Sequence, residues 1–120
     1  MNFVFDNERP IYIQLVEQFK IYIISGKINP GDRIPSVRDM AISLKINPNT
    51  LQRALIELEE MGLIYTERTN GKFITDNIEF INEKRKEYAR DKVMKFFDDM
   101  EELGFDKSEA ILYMKEVGDK

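Results

Sequence analysis

Two short segments, each ending a turn and opening a helix, constrain the fold of this chain more than any other feature. The first is Gly31-Asp32-Arg33-Ile34-Pro35-Ser36-Val37-Arg38, and the second is Ile46-Asn47-Pro48-Asn49-Thr50-Leu51-Gln52-Arg53-Ala54. Ser36 offers an N-cap hydroxyl with Asp39 three residues on, a pairing that satisfies the orphan amides of a first helical turn. Asn47 repeats the cap, and Pro48 follows at the first helical position, where a missing N–H costs nothing. Val37, Met40, Ala41 and Leu44 form one apolar stripe, and Leu51, Ala54, Leu55 and Leu58 the next, both at helical spacing. The two helix starts are separated as in a helix-turn-helix.

The flanking segments complete a pattern. Phe3-Val4-Phe5 reads as a short strand. Pro10 opens a helix in which Ile11, Leu15, Phe19 and Tyr22/Ile23 recur, and Gly26 stops it. Asn29-Pro30-Gly31-Asp32 is a turn. Gly62 ends the third helix. Leu63–Thr66 and Lys72–Thr75 are β-prone runs joined through Asn70-Gly71, a hairpin signal. From residue 78 charges become dense (Glu83-Lys84-Arg85-Lys86-Glu87). Ile81, Tyr88, Val93, Phe96, Phe97, Met100 and Leu103 mark a long amphipathic helix stopped by Gly104. Asp106, with Glu109 three residues on, starts a last helix carrying Ala110, Ile111, Met114 and Val117. The fold expected is mainly α with a small β-hairpin: a winged helix-turn-helix over residues 1–77, then a two-helix tail over 78–120.

Composition removes several classes of function. The chain of 120 residues has no His and no Cys. Disulfides, the usual zinc sites and the commonest general base are therefore excluded. No catalytic residue, metal or cofactor is expected, and most carboxylates fall at spacings of solvated helix faces. No charged-then-apolar leader and no apolar run of membrane-spanning length is visible, so a cytoplasmic protein without membrane contact is expected.

The net charge of −4 argues against a nucleic-acid partner until it is divided along the chain. Residues 1–77 hold nine basic and ten acidic residues, against nine and twelve in the remainder. From Arg33 to Arg53 four basic residues (Arg33, Arg38, Lys45, Arg53) meet one acidic residue, Asp39. Affinity for DNA follows the local field at the contact surface. The third helix opens with short polar side chains and an arginine, as a major groove requires: Arg can fork onto guanine, Asn and Gln can pair with adenine, and Ser and Thr suit phosphate oxygens. Each candidate has a plainer role too. Asn47 can be only a cap, Thr50 can bond phosphate rather than a base, Arg33 can pair with a carboxylate, and Gly71 can serve a turn that needs positive φ. The rival reading is a winged-helix protein-interaction module whose acidic surface repels DNA.

The chain resembles the GntR family of bacterial transcription regulators, and within it the short-tailed YtrA-like branch. The residues that carry the resemblance are Pro10-Ile11-Tyr12-Ile13-Gln14-Leu15, Gly26, Pro30-Gly31-Asp32-Arg33-Ile34-Pro35-Ser36-Val37-Arg38 and Asn47-Pro48-Asn49-Thr50. Arg53-Ala54, Leu58-Glu59, Gly62, Gly71 and Phe73-Ile74 complete the set. The resemblance implies a homodimer, usually a repressor, on an inverted-repeat (palindromic) operator of double-stranded DNA, often beside genes of ABC-type transporters. It implies that Arg38 contacts DNA. It also implies that Asn47, Asn49, Thr50, Gln52 and Arg53 enter the major groove and that Asn70, Gly71 and Lys72 form a wing tip at the minor groove. Arg33 and Ser36 complete the candidate set. The wing departs from the family's Arg-x-Gly-x-Gly-x-Phe, because Thr69 stands at the first glycine; a differently shaped turn is expected there.

A two-helix tail with an apolar stripe makes no core by itself; the stripe must be buried on the chain's own winged domain or on another chain, and a second copy of the chain is the expected partner. Ile81, Tyr88, Val93, Phe96, Phe97, Met100, Leu103, Ile111 and Met114 are the expected dimer contacts. The tail is far shorter than the ligand-binding domain of most GntR-like proteins. A small-molecule effector therefore has no evident seat except at the dimer interface or between tail and wing.

Overall fold

The computed structural model describes residues 2–120. Its elements in chain order are α1 (Ile11–Ile24), α2 (Val37–Leu44), α3 (Pro48–Glu60), β1 (Ile64–Glu67), β2 (Gly71–Ile74), α4 (Ile78–Glu102) and α5 (Lys107–Gly118). They group into two compact units, one reaching Glu83 and one running from Lys84 to Lys120. The order helix, helix, helix, hairpin matches the sequence reading, and the mainly helical winged fold with it.

The helix starts form as the local chemistry dictates. The Ser36 hydroxyl accepts from the Asp39 amide at 3.1 Å and the Asn47 Oδ1 from the Asn49 amide at 2.8 Å. Pro10 lies just before α1 rather than inside it. α2 ends on Lys45 in the left-handed region (φ 57°), the one non-glycine residue with positive φ among those described. The tight corner between α2 and α3 thus carries a side chain where glycine is usual.

α1 and α3 bury the core of the first unit. Leu15, Phe19, Ile23, Leu51, Leu55, Leu58, Leu63, Ile64 and Ile74 are all nearly inaccessible. The hairpin strands are antiparallel, with Ile64 opposite Ile74, Tyr65 opposite Phe73 and Glu67 opposite Gly71. They sit one residue away from the runs expected, and the connection is the three residues 68–70. Tyr65 and Phe73 stack across the pair, ring centroids 5.6 Å apart. Thr69 does not need glycine's freedom; the positive φ of the hairpin (96°) falls on Gly71 instead.

A third extended segment joins the hairpin. Arg33 bridges Phe73, the Ile34 amide donates to the Lys72 carbonyl, and the Ile74 amide donates to the Asp32 carbonyl, both at 2.8 Å. Pro35 keeps Ile34 extended, and Ile34 is buried. The wing is therefore tied to the entrance of α2.

Phe3-Val4-Phe5 is extended but belongs to no strand. Its backbone pairs with side chains of α1 instead. Asp6 exchanges two hydrogen bonds with the Gln14 amide group, Val4 two with Gln18, and Asn2 two with the Tyr22 hydroxyl. Residues 14, 18 and 22 stand one helical turn apart on one face, and residues 6, 4 and 2 point the same way along an extended chain. Alternate residues Phe3 and Phe5 stack on each other, and Phe3 also meets Phe19 and Tyr22.

In the second unit α4 runs to Glu102 and the chain reverses at Gly104 (φ 91°), where the Phe105 amide returns to the Met100 carbonyl at 3.0 Å. Asp106 and Glu109 form a reciprocal capping box at the start of α5. Phe105 stacks on Tyr113, and Ala110 is buried.

Candidate nucleic-acid interface

With 3.6 residues per turn, the buried Leu51, Ala54, Leu55 and Leu58 fix which face of α3 looks outward. Asn49 and Arg53, one turn apart, occupy that outer face and are exposed. Gln52 lies on one flank with Glu59, and Thr50 on the other with Glu57; Gln52 and Thr50 are half-buried. The acidic residues Glu57, Glu59 and Glu60 all fall in the C-terminal half. Only the N-terminal half is compatible with a polyanion, and the positive end of the helix dipole favours one.

Two elements hold side chains of α3, β2 through Glu59 and α1 through Arg53. The Lys72 ammonium reaches Glu59 at 3.3 Å and the Thr66 hydroxyl at 2.9 Å, so β2 braces the Gln52–Glu59 flank. The Thr66 hydroxyl, and after it the Lys72 ammonium, hold the Glu59 carboxyl below the usual carboxylate range. Arg53 is drawn toward α1. Its guanidinium carbon lies 3.7 Å from the centre of the Tyr12 ring, and its Nη2 donates to the Tyr12 hydroxyl at 2.9 Å.

At the wing, Arg33 Nε donates to the Asn70 carbonyl at 2.9 Å, and Asn70 Nδ2 donates to Glu67 at 2.9 Å. Arg33 therefore holds a backbone carbonyl of the wing tip rather than a carboxylate. A cleft of about 330 Å³ between the start of α2 and the hairpin is lined by Arg33, Ser36, Arg68 and Lys72 together with Glu67. Gly71 lies against Arg33: a Cβ there would stand 3.5 Å from its Nη2.

The expected residues thus fall into three places. Asn47, Asn49, Thr50, Gln52 and Arg53 gather on α3, Ser36 and Arg38 at the exposed start of α2, and Arg33, Asn70 and Gly71 at the wing. Lys72 departs from expectation. Its ammonium is engaged beneath the wing, 19% exposed, rather than standing at the tip. Sequence reasoning passed over Arg68, exposed in the tip loop, and Tyr12, which meets Arg53 across 41 positions of chain. Such a separation leaves no local periodicity by which the pair could have been found.

Of the residues expected to meet a partner chain, Ile81 is spent within its own chain at 6% exposure. Val93, Leu103, Ile111 and Met114 are exposed, between 38% and 72%. Tyr88, Phe96, Phe97 and Met100 are partly covered.

A helix-turn-helix with a braced wing and a recognition helix polar at its N-terminal half defines a DNA-binding transcription regulator. The family model for "Bacterial regulatory proteins, gntR family" matches residues 11–74, and the chain belongs to this family. It is 38% identical over 107 residues to the HTH-type transcriptional regulator YhcF of Bacillus subtilis, covering 89% of this chain and 88% of that one. It is 44% identical over 68 residues to the HTH-type transcriptional repressor YtrA of the same organism, covering 57% and 52%. A GntR family transcriptional regulator from Listeria monocytogenes superposes with a TM-score of 0.84 at 38% identity, over 93% of this chain and 98% of that one. These relatives are regulators of transcription, not enzymes. Among the described residues no helix is long and apolar enough to cross a membrane.

Proposed function

We propose that the chain is a cytoplasmic homodimeric repressor that binds an inverted-repeat operator. The observation that carries this reading is the N-terminal half of α3, where Asn49, Thr50, Gln52 and Arg53 stand on or beside the outer face with no carboxylate before Glu57. Asn49 and Gln52 have the amide groups that pair with adenine, while Ser36, Arg38 and the wing tip address phosphates and the neighbouring groove. Asn47 serves chiefly as the cap that orients this turn.

The tail supplies the second copy. Val93, Leu103, Ile111 and Met114 leave an apolar surface uncovered on the second unit, and residues 78–120 act as the dimerisation segment with residues 1–77 as the DNA-binding domain. Two recognition helices would then address major grooves about 34 Å apart. The operon so regulated would encode an ABC-type transporter, as the resemblance to the YtrA-like branch implies. Selection of genomic fragments by the purified protein at two salt concentrations tests the proposal. Enrichment of one palindrome, weakened by salt, is expected; no enrichment at low salt would favour recognition of a protein.

A further inference from the structure

Arg53 is the one basic residue of α3, yet the structure aims it sideways. We infer that Tyr12 holds Arg53 as a clamp on the DNA backbone, so that Arg53 sets affinity while Asn49 and Gln52 read bases. The inference rests on the reading that α3 enters a major groove. The guanidinium lies over the Tyr12 ring at 3.7 Å and spends one N–H on the phenol oxygen at 2.9 Å. A stacked, hydrogen-bonded guanidinium loses less freedom on binding than a free side chain, and its remaining donors stay in one plane. Tyr12 lies in the first turn of α1, so its ring and hydroxyl draw the guanidinium to the side of the outer face of α3. A donor fixed there faces the wall of a groove occupied by the N-terminal half of α3 rather than its floor. The chemistry at that wall is phosphate, which a fork of N–H donors binds without regard to sequence. Tyr12 keeps its own O–H to donate, because its oxygen accepts from Arg53. Tyr12 is a positioning residue in this account.

The test uses the full chain on the selected operator and on operators carrying each single base-pair change. Arg53→Ala is expected to weaken binding on the order of tenfold or more on every sequence alike and to lower the salt slope by about 1. Tyr12→Ala keeps the charge and should weaken all sequences by a smaller common factor. Tyr12→Phe retains the stack and should recover most of that loss. In an Arg53→Ala background, Tyr12→Ala should change nothing further, a coupling that a merely structural Tyr12 would not show. Relaxed preference at one base pair in Arg53→Ala would overturn the clamp and make Arg53 a base reader. Equal effects of Tyr12→Ala with and without Arg53 would overturn the positioning role. Asn49→Ala and Gln52→Ala separate this inference from its foundation. If they alter base preference while Arg53→Ala leaves affinity intact, the clamp alone fails; if none of the three matters, the groove reading fails with it.

Discussion

Replacing Gln14 by leucine should unfasten the N-terminal segment and destabilise the first unit. Gln14 is 2% exposed and makes three bonds: its Oε1 accepts from the Asp6 amide at 2.9 Å, and its Nε2 donates to the carbonyls of Asp6 at 3.0 Å and Arg9 at 2.7 Å. Each neutral bond contributes about 1 kcal/mol net, so their sum is about 3 kcal/mol. Leucine fills nearly the same volume and offsets about 1 kcal/mol by apolar burial. The expected loss is about 2 kcal/mol, or a fall in the melting temperature of roughly 8–16 °C for a domain of this size. Gln18→Leu removes two bonds at an exposed site and should cost less than half as much. Denaturant unfolding gives the energies, and hydrogen exchange at the Val4 and Asp6 amides shows whether the segment has lifted. Unfolding of Gln14→Leu within about 0.5 kcal/mol of the parent, with those amides still protected, would refute the reasoning.

Three further outcomes follow from the corners and the wing. Lys45→Gly should stabilise the chain by up to about 1 kcal/mol, because it removes a side chain from a left-handed position; a loss on thermal unfolding would show that the Lys45 side chain contributes more than its backbone costs. Gly71→Ala should cost roughly 1–3 kcal/mol and weaken operator binding, since φ of 96° is strained for alanine whatever space surrounds it; an unchanged melting temperature would contradict this. The Glu59 carboxyl is held low in the folded chain, so its stabilisation is complete above the ordinary carboxylate range and disappears as pH falls through its lowered value. Acid titration of the parent against Glu59→Gln should show a steeper loss in the parent, and parallel curves would count against the brace.

What the sequence revealed, it revealed through short-range chemistry. Ser36, Asn47 and Asp106 each bond an amide two or three residues on, and Gly62, Gly71 and Gly104 mark corners by a backbone angle, so both kinds of signal lie within a few positions. The α3 face follows from the spacing of Leu51, Leu55 and Leu58. Contacts between distant segments were not legible. The run Phe3-Val4-Phe5 alternates as a strand does, but nothing in it says that its partner is a helix. Arg33 gives no sign that it joins Phe73, and Lys72 reads as a free cation until Glu59, thirteen positions earlier, is found beside it. The tail's apolar stripe was visible, but burial of Ile81 in the first unit depends on where the domain ends.

The rungs that join residues 2–6 to α1 carry a vernier. Four residues of helix advance about 6.0 Å, whereas two residues of extended chain advance about 6.6 Å. Each rung therefore slips by about 0.6 Å against the last, and over the three rungs formed by Gln14, Gln18 and Tyr22 the slip stays within what side-chain torsions absorb. A fourth and fifth rung would be progressively out of step. A β-sheet edge repeats without drift and can recruit strand after strand, whereas this seam limits its own length. The same backbone that looked strand-like in the sequence is fastened by three rungs that span about two turns of helix.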